Sequence, residues 1–535
     1  MDAARRLSAR TLALVIAGVG LFAIFPYVPK TRSPNELCRL AQTRSLWDFH
    51  TVEINQVLMQ LGPVGDLSRM DTYELGRPVR HYYPSKAPLL SYAAVPVYAL
   101  LEALHGNGGL HAVPEMELVF FGRVICTLLP ALLVLFPLRK FLEAYLAPEL
   151  SAALLVAYAL GTVCFPYAEL FMSHGLTAVE LFLVFYVLWR HRRGELTTPI
   201  AFGLAGLLAG ISVATEYTAA LALPPLALYG LLTAKKEDRI RAAIFGVLGV
   251  LPAALFLGWY HWRCFGSPLE TGYKHLNDAG YQHWHVGGFL GIGLPEFNAF
   301  WRSYADPLRG LFVVSPFLAL ALPGLWLMRG KPELKPELWL FTTLFALYTY
   351  FTSSFAYDSW GWTTGPRHMT PLAAFLLLPV GVACQRAREK GPLWAGGAGG
   401  LLALSIINTG LLTQVNYISD CLRNGLHRLA VPLVLSGHLP NSPLSILGVP
   451  NPWAWLPEAL ALGGGMALCI WALVRTLKGP VAALAAVGVC AGLFMLHSQI
   501  PPGPNTECED VTLRNMGNDF DPQPGQATAD FEARR

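Results

Sequence analysis

Charge is what this sequence has least of. Only 14% of its 535 residues are Asp, Glu, Lys or Arg, against about 25% in a soluble domain, and that shortage excludes an ordinary water-soluble globule. Also missing are any Cys-x-x-Cys pair or Cys/His spacing that would announce a zinc site, an internal repeat, and a separate soluble domain. The first apolar run, Leu12 to Val28, follows Arg5, Arg6 and Arg10 as a signal peptide would. It ends in FPYVPK without the small residues of a cleavage site, so it reads as an uncleaved first span.

What the sequence has in excess is apolar: 54% hydrophobic residues and a mean hydropathy of +0.43. Runs of about 17 to 22 apolar residues recur, each long enough as a helix to cross a hydrocarbon core of ~30 Å. They are continuous rather than alternating, which selects helices over a barrel. Besides the first run, spans are predicted at 116–138, 150–166, 174–190, 198–214, 217–232, 239–258, 310–328, 338–354, 369–385, 393–411, 456–475 and 479–497, thirteen in all. The segments this count puts in the cytoplasm hold twenty of the 39 Lys and Arg but nine of the 35 acids, so the short inner loops carry +11 and everything else −7. That is the positive-inside pattern. It implies an inner (plasma) membrane protein with a cytoplasmic N-terminus and an extracytoplasmic C-terminus.

Ala87 to Leu104 is apolar enough to cross as well. Crossing there would invert every later loop, so a juxtamembrane or re-entrant helix on the outer face is expected; the alternative is that it crosses and a later, weaker span does not. The predicted fold is therefore an all-α polytopic membrane protein of about thirteen transmembrane helices, with a large first outer loop over 30–115 and further outer segments at 260–309 and 414–455. Residues 1–497 form one membrane domain. Residues 498–535 form an outer polar tail whose last twenty residues are expected to be disordered.

Chemistry-bearing residues gather in the outer segments. Asn35-Glu36 with Arg39 opens the first loop; if Asn35 caps a helix, Glu36 falls in its first turn, and an amphipathic surface helix with a dipole-matched glutamate explains the pattern equally well. Asp48 and Glu53 follow. Between Arg77 and Pro88, His81, Tyr82, Tyr83 and Lys86 stand beside two arginines at the mouth of an apolar helix. Such a set suits a phosphate held at the lipid surface and equally suits snorkelling cations and an aromatic belt. Two short outer turns add Glu169 with His174, and Asp358 with Arg367 in YDSWGWTTGPRH. A third, SYADPLRG, carries Asp306 and Arg309. Charges at a membrane rim are expensive to keep without use.

Of nine cysteines, Cys126, Cys164, Cys384, Cys469 and Cys490 fall in predicted spans and read as small hydrophobes. Cys38, Cys264, Cys421 and Cys508 fall outside, where disulfides are permitted. Pairing Cys421 with Cys508 would tie the tail to the last large loop; Cys38 with Cys264 is the competing pair.

Taken together, Asn35-Glu36-Leu-Cys-Arg39, Tyr83-Pro-Ser-Lys86-Ala-Pro88-Leu-Leu-Ser-Tyr92, His174, Arg263-Cys-Phe-Gly-Ser-Pro268, Arg309-Gly-Leu-Phe and Trp360-Gly-Trp-Thr-Thr-Gly-Pro-Arg367 give the chain a resemblance to the GT-C membrane glycosyltransferases. The branch it resembles is that of the protein O-mannosyltransferases and aminoarabinose transferases, over roughly residues 10 to 380. The resemblance implies transfer of a hexosyl or pentosyl group, with inversion, from a polyprenyl-phosphate donor to an extracytoplasmic lipid, glycan or protein acceptor, among membrane lipids and without nucleic acid. It implies a carboxylate base, for which Glu36 and Asp48 are the candidates, and a donor phosphate held by Lys86 and Arg367 with Arg309 and Tyr83. It also leaves room for a divalent metal, with His174, Glu169, Asp358 and His81 as supporting or metal candidates. Such families commonly open the loop with Asp-Glu; here the first position is Asn35, which cannot serve as a base. A glycan ligase or polymerase, and a lipid-linked sugar transporter or flippase using Glu180, are the alternatives.

Overall fold

The computed structural model describes residues 2–23, 33–74, 76–288, 291–356, 361–362, 364–416, 418–440, 442–503 and 505–519. Within the described residues each predicted apolar segment is helical over most of its length. By length and hydropathy, six helices among the described residues qualify as spans: Glu115–Glu143, Thr198–Thr215, Lys236–Phe265, Pro392–Val415, Trp453–Val474 and Val481–Ser498. Shorter apolar helices, such as Ala9–Ala23 and Pro148–Gly161, accompany them. Six such helices in one chain make this a multi-pass membrane protein; a count of thirteen is not established by that measure.

Packing follows from composition. Helix Arg239–Phe265 leaves Ile240, Ile244, Val247, Leu251 and Leu255 exposed, spaced three or four residues apart along one face, as a lipid-facing stripe requires. Its other face meets Thr198–Thr215 through glycines: a Cβ on Gly206 would stand 2.1 Å from the Gly246 carbonyl oxygen, so the backbones touch as small residues allow in membranes. Deep in the bundle Phe141, Phe182, Phe185, Phe341 and Phe375 pack edge to face or tilted, the geometry aromatic quadrupoles favour.

The first outer loop departs from the all-α expectation. After helix Pro34–Asp48 the chain forms an antiparallel hairpin, β1 (Leu67–Glu74) and β2 (Arg77–Pro84), with Leu67 opposite Pro84. Val79, Tyr82 and Tyr83 supply residue types that favour a strand, and positive-φ Gly76 (+76°) supplies the turn. Helix Pro34–Asp48 also starts earlier than predicted. Ser33 is its cap, its Oγ accepting the Glu36 N–H at 3.4 Å, because Pro34 occupies the first helical position where no N–H is needed. Asn35 thus lies inside the first turn.

Ala87–Leu104 becomes two short helices, Leu89–Ala93 and Val95–Leu104, which pack Leu90, Tyr98 and Leu101 against Leu40, Leu118 and Phe171. The tail contains a helix, Thr506–Asp519, of which the last four residues fall in the stretch expected to be disordered. Helix Thr506–Asp519 is tied down by a disulfide between Cys421 and Cys508, with a Cα–Cα distance of 5.7 Å. Fully buried Glu509 accepts the Gly503 N–H at 2.9 Å and faces Arg428 at 3.4 Å. Residues 520–535, most of the stretch expected to be disordered, lie outside the described residues. Cys38 and Cys264 are both buried and free, because helix Arg239–Phe265 runs past its predicted end and takes Cys264 into the packing.

Candidate active site

Outer segments that are distant in sequence converge on one cavity of about 1150 Å³, large enough for a sugar and its neighbours. Its polar wall holds Asn35, Asp66, Lys86, Asp278, Arg367 and Asp420; Tyr217, Tyr273, Tyr281 and Trp362 give it aromatic faces, and Cys508, Val511 and Thr512 of the tail helix close one side. All of these residues belong to segments that the charge pattern places outside the membrane or at its outer rim.

The two cations expected to hold phosphate, Lys86 and Arg367, are both present in this cavity. Lys86 sits at the end of the turn leaving β2. Its Nζ lies 3.5 Å from Asp66 Oδ2 and 5.3 Å from the centre of the Tyr273 ring. Burial pulls the ammonium pKa down, but Asp66 and then Tyr273 outweigh it and hold it well above the ordinary lysine value, so Lys86 stays charged. Arg367 has no carboxylate partner among the described residues, and its Nε is buried without an acceptor. A buried guanidinium nitrogen left unsatisfied is costly, and at Arg367 it lies at the wall of the cavity. Beyond it, Tyr273 and His285 stack with centroids 4.8 Å apart and planes 4° from parallel. Burial, with Lys86 and Arg367 nearby, depresses the His285 pKa below its usual value despite the Tyr281 carbonyl, leaving a neutral ring at pH 7.

The remaining candidates fall elsewhere, for identifiable reasons. Glu36 is fully buried: its oxygens take the fork of Arg123 at 2.8 and 2.9 Å, and Oε1 accepts the Phe171 N–H at 2.7 Å. It fastens the opening helix to the bundle and does not face the cavity. Asp48, at the far end of the same helix, accepts Tyr98 Oη at 2.8 Å; burial raises its pKa, against the Tyr98 hydrogen bond, and it too lies off the cavity. Tyr83 packs edge-on against Phe265 at 5.7 Å. Arg309 is buried, outside the lining. His81 is held between Glu53 at 2.9 Å and Thr72 at 2.8 Å on the hairpin. Glu169 is fully buried, with neither oxygen hydrogen-bonded among the described residues. Asp358 lies outside the described residues.

His174 belongs instead to a buried relay behind the cavity wall. Asn35 Oδ1 accepts Arg39 Nε at 3.1 Å; Arg39 also donates to the Ala87 carbonyl at 2.9 Å and to Ser173 Oγ at 3.1 Å. Ser173 donates to Glu216 at 2.5 Å, and His174 Nδ1 is 3.8 Å from that carboxylate. This chain of bonds fixes the backbone at Ala87, next to Lys86. Among the described residues no group of three or more His, Cys, Asp or Glu converges in a way that could hold a metal ion, so His174, Glu169 and His81 do not form such a group and no step is routed through a metal.

Sequence reasoning missed Asp66, Glu216 and the tyrosines of the cavity. Asp66 is a single acid in GPVGDLS; the signal was its neighbour Gly65, a small residue where the loop passes Pro34, since a Cβ there would stand 3.0 Å from Pro34 Cβ.

No family model matches this chain, and no curated protein matches it. Among solved structures it is similar to ArnT from Cupriavidus metallidurans in the apo state (TM-score 0.47, 15% identity, 93% of this chain and 78% of that one). It is also similar to the same protein bound to undecaprenyl phosphate (TM-score 0.48, 15% identity, 97% of this chain and 80% of that one). A third is the archaeal oligosaccharyltransferase AglB from Archaeoglobus fulgidus in complex with an inhibitory peptide and a dolichol-phosphate (TM-score 0.40, 12% identity, 98% of this chain and 59% of that one).

Proposed function

We propose that this chain is an integral-membrane glycosyltransferase that moves a hexosyl or pentosyl group, with inversion, from a polyprenyl-phosphate donor to an acceptor on the extracytoplasmic face. The observation that carries this reading is the pair Lys86 and Arg367 in one cavity, Arg367 with no carboxylate partner among the described residues. A lysine point charge beside an arginine fork suits the phosphodiester of such a donor and the phosphate monoester that remains when the sugar leaves. In a cavity with little water, fixed cations of this kind stabilise the charge that grows on a phosphate as it leaves a sugar. The tyrosine and tryptophan faces suit the apolar side of a sugar ring. Thirteen spans, with the N-terminus in the cytoplasm of an inner membrane and the C-terminus outside, would put every polar lining residue on the outer side, where a polyprenyl phosphate presents its headgroup.

The test is release of free polyprenyl phosphate by the purified protein from a panel of polyprenyl-phosphate hexoses and pentoses, with lipid, glycan and protein fractions of the cell envelope as acceptors. The wild type is expected to release it with one donor class, and Lys86→Ala to lose that release about tenfold or more, as removal of a charge-assisted contact implies. No release from any donor with any fraction, by protein that stays folded in detergent, contradicts the proposal.

A further inference from the structure

We infer that Asp66 is the carboxylate that accepts the acceptor's proton, and that Lys86 guards it until donor phosphate arrives; this rests on the glycosyltransferase reading above. The opening helix presents an amide, Asn35, to the cavity, while its Glu36 is consumed by Arg123. A base must therefore come from another element. Among the described residues three carboxylates line the cavity, and of these Asp278 is committed as a helix cap, accepting the N–H groups of Gly280 and Tyr281 at 2.9 and 3.1 Å. Asp420 lies in the loop beside the tail disulfide. Asp66 alone of the three pairs with a cation of the phosphate site, Lys86 Nζ at 3.5 Å.

Its position is fixed by backbone rather than by side-chain contacts. Asp66 has φ +59° at the entry to β1, its carbonyl accepts the Ser85 N–H at 2.9 Å, and Gly65 lets the loop approach Pro34 at the start of the opening helix. A residue in left-handed geometry is held there by its surroundings. The carboxylate therefore meets Lys86 from a loop that passes close to Pro34 at the start of the opening helix.

The loose contact with Lys86 gives the site an order of events. At 3.5 Å the ammonium is shared electrostatically and not held in a short hydrogen bond. A donor phosphate bound by Arg367 competes for Lys86, and Lys86 swings its charge from Asp66 to phosphate. The freed carboxylate then takes the proton of an acceptor hydroxyl. The hydroxyl oxygen's electron pair forms the new bond to the anomeric carbon as the anomeric carbon–phosphate oxygen bond breaks. The departing electron pair stays on the phosphate between Lys86 and Arg367, and Asp66 later gives its proton to water.

Asp66→Asn separates this role from a merely structural one. With undecaprenyl phosphate in detergent micelles as the binding probe, the variant is expected to bind as tightly as wild type or about two- to tenfold more tightly, since Lys86 has lost its competitor. Release of polyprenyl phosphate from the accepted donor is expected to fall about 10²- to 10⁴-fold. Retained probe binding also shows that the variant is folded, and Asp66→Ala serves as a second carboxylate-free variant if the amide does not fold. Turnover within threefold of wild type overturns the assignment, as does loss of turnover together with loss of probe binding, which would make Asp66 a holder of the site. Failure of the wild type itself to bind the probe overturns the underlying reading instead, and this proposal with it.

Discussion

The two ends of this molecule treat their charges in opposite ways. At the end rich in lysine and arginine, long side chains reach across helices to carboxylates: Arg10 to Glu143 at 2.7 Å, Arg475 to Glu149 at 2.8 Å, and Arg192 to Glu337. At the cavity end Arg367 has no carboxylate partner among the described residues, and Lys86 has a partner only at 3.5 Å. Charge pairs at the first end hold helices together. At the second end Lys86 and Arg367 face the cavity without such close pairing, and the difference between the two ends lies in pairing.

One close pair at the cavity end sharpens the comparison. Arg123 and Glu36 are 1% and 0% exposed and fully matched, so this pair is structural although Glu36 occupies the family-like position. Glu36→Gln leaves Arg123 buried beside a neutral group, and we expect a loss of about 3–5 kcal/mol, read as a large drop in melting temperature in detergent. Next in size is Cys421→Ser. The disulfide closes a long loop, and losing it is expected to cost about 2–4 kcal/mol, appearing as faster proteolysis of helix Thr506–Asp519 than of the membrane helices. The smallest effect is expected at the other end. Arg10 is one-third exposed in its pair with Glu143, and Arg10→Ala should cost under about 1 kcal/mol. If Arg10→Ala destabilises as much as Glu36→Gln, the two ends do not differ in the way described.

The membrane helices were legible because apolar runs of that length have one solution in lipid. Arg367 and Lys86 were legible as charges at a rim. Glu36 misled because sequence shows which residues are acidic but not what meets them; Arg123 lies 87 residues away and inside a predicted span. The hairpin was hidden in a segment read as polar loop, although RPVRHYYP holds the strand-favouring Val79, Tyr82 and Tyr83, with exposure falling toward its end. Asp66 was invisible for a related reason: its value comes from Lys86 and Pro34, contacts set by strand register and by a backbone turn. The disulfide was legible because few outer cysteines were available. The tail helix was missed although Glu507 and Glu509 sit in its first turn, where acids favour a helix N-terminus.

Binding of undecaprenyl phosphate to the purified protein in detergent, compared between wild type, Arg367→Ala and Arg10→Ala, tests the central claim most directly. The account predicts that Arg367→Ala weakens binding about ten- to a hundredfold, the range of a lost charge-assisted contact, while Arg10→Ala binds as wild type does. Equal binding by all three proteins would contradict it.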